Sequence, residues 1–434
     1  MSQFFWLYIE PYVHMAKEQN DVLLYNPLNG KLLQFKKFEK IANLIQRLLS
    51  RKNLRVIRVS GNDLLDPAIS SFLKQIRASY FGDIVDTSCF RGKPLQISPI
   101  LSVQSDIHRK SKATAFAFGI QSMQSLEECT IYITNQSNQN SPLFEKAYRQ
   151  FLFPFNENKK KELDYHALIN LLNQLLVCPS CRLNIIGGNI LNYSNFENLF
   201  DFLYDIPATK SFYFCSADIF GNEATIKAYF RKKVSTSNGP KNIQFKFFVE
   251  PSSSKKEFSN LLDFSMEIPV GSTFIFVLRN KEQLAMSEAL IEEFKITNFT
   301  YKPYFDGQNR SFFNKHVFIK KSDIVNSKVT QKDILAKSKI NPSEFGKLIV
   351  FNNGDIFANP NQPRLGNIRK NSIASVINKE LYHGKSWRSL RGNVEPCKNC
   401  VFCLLCPPLS HYESIMKKNA LCHIRKNKYI KYKE

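Results

Sequence analysis

Nothing in this chain of 434 residues is apolar for long enough to span a bilayer. Its first residues lack the basic stretch and apolar run of a secretory signal. Acidic side chains are few: 37 against 60 basic ones, for a formal net charge of +23. A basic stripe interleaved with aromatics, the footprint of a nucleic-acid binder, is also missing. The lysines are scattered, the longest run being residues 159–161. Nor is there a disulfide framework, because half of the ten cysteines crowd into one stretch, which suits a reducing compartment. The expectation is a soluble, cytoplasmic protein with no membrane or nucleic-acid partner. Its positive charge serves solubility or attracts an acidic peptide. The length calls for two or three domains.

What the chain does have is a cysteine cluster near its C-terminus, with Cys397, Cys400, Cys403, Cys406 and Cys422. Thiolates bind soft metals and iron–sulfur clusters, and short spacings let one bent loop aim several sulfurs at one centre. Four ligands suffice, so one thiol is spare. Cys397, Cys400, Cys406 and Cys422 give C-x2-C-x5-C-x15-C, with Gly392 ahead of them and P-P-L-S-H-Y-E between the last two. This pattern resembles the auxiliary-cluster half of a SPASM or twitch domain, which closes the barrel of many radical-SAM enzymes that modify peptides. The resemblance implies one 4Fe–4S cluster on those four cysteines. Cys403 is the spare, though C-x2-C-x2-C-x2-C also admits it as a ligand. Zinc remains the alternative, since four thiolates at such spacings suit a tetrahedral site.

Residues 1–88 read as a small α+β domain: a hairpin across the Asn29-Gly30 turn, a helix over 38–49, a strand over 54–59 and a helix over 69–77. That order resembles a RiPP recognition element, a winged-helix-like module that binds a precursor's leader peptide as an added strand. Residues 89–128 are a basic connector. From 129 to 306 strands alternate with helices: strands over 129–134, 182–186, 211–215, 243–250, 273–278 and 296–301, each followed by a helical pattern up to the last. Such alternation means parallel pairing with right-handed crossovers. Six units suit a partial (β/α)6 TIM-like barrel, the radical-SAM fold; an open doubly wound sheet competes. Residues 307–434 form the C-terminal cysteine domain, with a strand over 309–321, a hairpin over 347–358 turning at Asn353-Gly354, and a helix over 372–382. Cys178 and Cys181, in C-P-S-C, read as packed or surface thiols, with a redox dithiol as the sharper alternative.

Two departures from the radical-SAM pattern bear on function. Those enzymes carry C-x3-C-x2-C after the first barrel strand, and this chain has no such motif. Aligning Thr134-Asn135 on the family's T-N-x-C-N places Ser137, Ser141 and Phe144 where the three cysteines belong. After the second strand the family's G-G-E becomes Gly187-Gly188-Asn189, so the carboxylate that would pair with the methionine ammonium is gone. S-adenosylmethionine is therefore not expected to bind. The whole resembles the pseudo-radical-SAM proteins of the GG-Bacteroidales peptide systems. That resemblance implies a non-catalytic partner in peptide maturation, engaging a precursor leader and an active radical-SAM maturase. The alternative is an enzyme that still binds S-adenosylmethionine and uses its auxiliary cluster.

Overall fold

The structure is a computed structural model and describes residues 3–89, 92–97, 122–136, 143–155, 161–178, 180–220, 222–224, 226–228, 242–250, 254–268 and 270–424. Six strands open the chain: β1 (Phe4–Ile9), β2 (His14–Glu18), β3 (Asp21–Tyr25), β4 (Leu32–Phe35), β5 (Val56–Ser60) and β6 (Gly82–Asp86). They make two antiparallel three-stranded sheets, β5-β1-β6 and β2-β3-β4. The aromatic stretch at the start, which carries no clear period, thus holds two strands belonging to different sheets. Helix Glu39–Leu49 buries Ile41, Ala42, Leu44, Ile45 and Leu48, the i, i+3, i+4, i+7 stripe of an amphipathic helix. Pro67–Ala78 starts on proline, capped by Asp66, whose carboxylate accepts from the Ala68 and Ile69 amides. Both helices share one core with the strands, built on Leu7, Val22, Leu24, Ile45, Phe72 and Phe81.

The second body is a nine-stranded sheet in the order β12-β11-β10-β9-β8-β7-β13-β14-β15. Its strands are β7 (Glu128–Thr134), β8 (Arg182–Gly187), β9 (Lys210–Cys215), β10 (Ile243–Val249), β11 (Gly271–Leu278), β12 (Phe299–Pro303), β13 (Lys347–Val350), β14 (Asp355–Phe357) and β15 (Gly366–Asn367). From β12 across to β13 every pairing is parallel; β14 and β15 add an antiparallel ribbon. Strands β7 to β12 lie in chain order. Parallel neighbours joined in that order by right-handed crossovers send their helices to the same side. The helices therefore stack on one face, where Phe212, Phe214, Phe245, Phe247, Phe274 and Phe276 meet Leu168, Leu199, Leu203, Phe258 and Leu261.

The strand expected over 309–321 is helical instead: Arg310–His316 and Lys321–Asn326, with a single bridge from Ile319 to Cys422. Asn309 anchors the start of the first helix on the strand ends. Its Nδ2 donates to the carbonyls of Arg279 and Tyr304, both at 2.8 Å, while Phe313 goes into the core.

In the small domain, β2 carries a titratable group at a sealed position. His14 is half-buried as a residue, but its Nε2 has no hydrogen-bond partner and no access to water. Burial, and then the Arg55 guanidinium beside it, pushes its pKa down to about 4. Below pH 6.5 the unfolded chain gains a proton on His14 that the folded chain refuses until about pH 4, so stability falls as pH drops through that window. The expected loss is about 3 kcal/mol. Denaturant melts between pH 7 and pH 4 should show it, and His14→Phe should flatten that part of the profile.

Candidate functional site

The cysteine stretch folds as a chain of tight turns. Cys400 donates its amide to the Cys397 carbonyl (3.0 Å), Cys403 to Cys400 (2.9 Å), and Cys406 to Phe402 (3.0 Å). Such turns repeat every three or four residues and keep the thiols near one another. The apolar members Val401, Phe402 and Leu405 pack, together with Cys406, on Leu23 and Tyr25 of β3 and on Ile324, Val329 and Ile334. Cys422 arrives from a distant segment. Its neighbours hold it there, with the Ile319 amide donating to Leu421 (2.9 Å) and the His423 amide to Ile319 (2.9 Å).

Burial pushes the Cys406 thiol up to about 12; Arg391 opposes this, and Cys400, Cys422 and Cys397 add to it. Cys403 is pushed up to about 11 by burial, then by Cys397 and Cys400. Cys397 and Cys400 thus lie within electrostatic reach of both Cys403 and Cys406, and Cys422 within reach of Cys406. As they stand, no three His, Cys, Asp or Glu side chains among the described residues are placed to hold a metal ion. The donor set still fits one: four cysteines on a turn-rich loop and Cys422 from a following segment are soft ligands, and a metal would displace thiol protons on binding. Gly392 passes beside Cys403, whose Sγ lies 3.7 Å from where a Cβ on Gly392 would stand, an ordinary contact.

Arg391 organises this loop, and the motif reading passed it over. Its buried guanidinium donates to the Pro407 carbonyl (Nε, 2.7 Å), the Pro408 carbonyl (Nη2, 3.1 Å), Glu413 Oε1 (Nη2, 2.7 Å) and Cys397 Sγ (Nη1, 3.5 Å). Burial disfavours its charge, but Glu413 and then Cys397 hold the pKa above the usual arginine range. Glu413 also closes a capping box with Ser410 at the start of helix His411–Ile415. The S-x-x-E spacing in L-S-H-Y-E signals that box in the sequence; the arginine carries no such signal.

Gly187, Gly188 and Asn189 end β8 against the end of β7. A Cβ on Gly187 would stand 2.6 Å from the Thr134 carbonyl oxygen, so a larger residue does not fit. Gly188 donates its amide to that same oxygen at 3.0 Å. Asn189 is buried and spends Oδ1 on the Leu191 amide (3.0 Å), capping the turn Ile190–Asn192. These three residues fasten the β7–β8 junction. Ser137 and Ser141 lie outside the described residues, as does the side chain of Phe144; its backbone belongs to the short helix Leu143–Lys146.

Just beyond that helix, residues 147–155 run across the sheet face opposite the helices. Phe151, Phe153 and Phe155 are buried there with Tyr132, Ile186, Tyr213, Phe248, Ile275 and Tyr304. Tyr132 donates its hydroxyl to the Phe153 carbonyl (3.0 Å) and stacks on Phe351 at 4.9 Å. Gln150 pairs with the backbone of Phe305 in both directions, at 2.7 and 2.8 Å. The segment is thus tied at both ends of the sheet. Its sequence, Q-F-L-F-P-F, is too apolar for a surface loop, which was the available signal.

A second polar group stands at the C-terminal ends of β9, β10 and β11, which sequence reading did not single out. Asp218 Oδ2, Glu250 Oε1 and Arg279 Nε are buried and have no hydrogen-bond partner. Burial raises the Asp218 pKa to about 7, and the nearby Glu250 adds to the shift. Cys178 and Cys181 are packed thiols: Cys178 donates to the Met123 (3.2 Å) and Leu126 (3.3 Å) carbonyls, and burial pushes Cys181 up to about 12.

No family model matches the chain, and no curated protein does either. Among solved structures the chain is similar to Streptococcus suis SuiB, at 12% identity and a TM-score of 0.44, covering 97% of this chain and 99% of that one. A second structure, SuiB bound to S-adenosylmethionine, aligns at 12% identity and a TM-score of 0.43 over the same shares. Likeness at that level fixes no chemistry, so the reading of the site rests on its own residues.

The Arg391–Glu413 pair gives a direct check. Removing one partner of a buried ion pair costs about 3–5 kcal/mol, so Arg391→Ala should lower stability by that order in urea melts. Arg391→Lys should recover little, because a single ammonium cannot reach two carbonyls, a carboxylate and a sulfur at once.

Proposed function

We propose that this chain is a radical-SAM-like protein that works without radical chemistry, as a binding partner in the maturation of a ribosomally made peptide. The observation that carries this reading is the aromatic layer from residues 147–155. It fills the sheet face where, in an enzyme of that fold, a substrate chamber would open. The sequence supports it independently, since no C-x3-C-x2-C motif is present to hold a cluster with an open iron. The leader peptide would add as a strand to the small domain, where β2, β4, β5 and β6 are all sheet edges. The cysteine loop would act as a staple between the two bodies. Its apolar residues already pack on β3, and Cys397, Cys400, Cys406 and Cys422 would hold the 4Fe–4S cluster or zinc.

One observation favours a second reading, an enzyme that retains S-adenosylmethionine. The orphaned atoms of Asp218, Glu250 and Arg279 sit at strand C-termini, where parallel α/β sheets bind their ligands. The two readings separate on two measurements. The scaffold reading expects the full chain to bind a synthetic precursor leader, or an active maturase, at micromolar concentration. It also expects no 5′-deoxyadenosine from dithionite-reduced protein incubated with S-adenosylmethionine. Binding to neither partner defeats the scaffold; 5′-deoxyadenosine above the no-protein control establishes the enzyme.

A further inference from the structure

The face that carries the aromatic layer also carries charged side chains, each two or four residues ahead of a member of the layer. In a strand every second side chain shares a face. Glu128 and Arg182 lie four residues before Tyr132 and Ile186 on β7 and β8. Lys246, Lys302 and Lys347 lie two residues before Phe248, Tyr304 and Ile349 on or just after β10, β12 and β13. All five therefore share the face of the aromatic layer and sit beneath it. Register confirms part of the group directly: Lys347, Glu128 and Arg182 are Cα partners in a row across β13, β7 and β8.

Strands β12 and β13 have five others between them in the sheet. Lys302 nonetheless feels the charges of Lys347 and Glu128, and Lys246 those of Glu128, Arg182 and Lys302. The sheet curls enough to bring these side chains into one bowl. Burial lowers the pKa of Lys302 and of Lys246, and the neighbouring cations lower both further.

Lys246 is held in place. Its Nζ donates to the Tyr213 hydroxyl (3.1 Å), Tyr213 donates to Asn184 Oδ1 (3.5 Å), and Asn184 Nδ2 donates to Thr130 Oγ1 (3.2 Å). Asn184 and Thr130 are buried, so the chain of donors is anchored in the core. Arg182 meets Glu128 at 3.2 Å. The ammonium groups of Lys302 and Lys347 donate no hydrogen bond to any described residue. Four cations thus surround one carboxylate. Like charges gathered on one half-buried face repel one another, and an anion that joins them relieves the repulsion.

We infer that this bowl is an anion site for a phosphate-type group of two or three negative charges, free or carried on a nucleotide. Lys246, Lys302, Lys347 and Arg182 would donate to its oxygens. An ion of that charge matches the surplus of cations over Glu128, and oxyanions accept several charge-assisted hydrogen bonds at once. The site is separate from the cysteine loop and from the strand C-termini, and it stands whether or not the scaffold reading does.

The test uses the full chain. Inorganic pyrophosphate is titrated calorimetrically and in thermal melts, with sodium chloride at matched ionic strength as control. One saturable site is expected, with a melting temperature raised beyond the chloride control. Lys302→Met and Lys347→Met should each weaken binding about tenfold, the loss of one charge-assisted hydrogen bond. Without ligand both variants should melt no lower than the parent, because each removes an unpaired cation while keeping its apolar stem. A parallel titration with a nucleoside diphosphate separates the sources. Tighter binding than pyrophosphate assigns the site to a nucleotide, and equal or weaker binding to the free ion. Identical responses to pyrophosphate and chloride, or unchanged affinity in both variants, would overturn the site.

Discussion

A parallel sheet has to bury both of its faces, because its strands are apolar on both sides. Here the chain-ordered strands β7 to β12 send all their connecting helices to one face, so the other face must be covered by something else. The chain uses its own aromatic side chains. Phe151, Phe153 and Phe155 close over Tyr132, Phe248 and Ile275, and Gln150 and Tyr132 fix the segment by hydrogen bonds. A phenylalanine removed from such a layer leaves a cavity worth about 3–5 kcal/mol, so the layer belongs to the fold and is not an ornament on it. The same constraint limits function: space committed to packing is not open to a substrate. What polar character the face retains is pushed to its two rims, the cation bowl at one end and Asp218, Glu250 and Arg279 at the other.

The cysteine loop solves a different problem, that of joining two bodies with little shared core. Its apolar side chains extend the β2-β3-β4 sheet through Leu23 and Tyr25, while Arg391 ties its two proline carbonyls, Glu413 and Cys397 into one buried knot. Every donor of that guanidinium that reaches a partner reaches a different one, which fixes the loop's path before any metal arrives. A centre bound on Cys397, Cys400, Cys406 and Cys422 would cross-link the loop to Cys422 and add its binding energy to that arrangement.

Much of this was legible in the sequence, for physical reasons. Period-3.6 stripes such as Ile41, Leu44, Ile45 and Leu48 gave helix Glu39–Leu49 nearly to its ends, and β-rich runs bounded by polar turns gave β7 to β12. The cysteine spacing marked the loop. What escaped was whatever depends on tertiary partners. The opening aromatic stretch shows no clean alternation, because β1 pairs on both sides and β2 joins another sheet. Residues 309–321 hold helix Arg310–His316 where a strand was expected, and Asn309 just before it is tied to Arg279 and Tyr304 by bonds that local pattern cannot show. Arg391 is one of many basic residues until Glu413 and Cys397 surround it. The bowl needs strand register and sheet curl together, and neither can be read from a single strand. Gly187 was marked as a tight turn; that Thr134 is the group it makes room for required the fold.

On the proposed function this chain would carry one cysteine-bound centre, on the C-terminal loop, and no second cluster with an open iron. Anaerobic purification followed by iron, sulfide and zinc analysis, with an electron paramagnetic resonance spectrum of the reduced protein, tests it most directly. About four irons and four sulfides per chain, or about one zinc and no iron, is the expected result. About eight irons per chain would reveal a second cluster and contradict the claim that radical chemistry is absent.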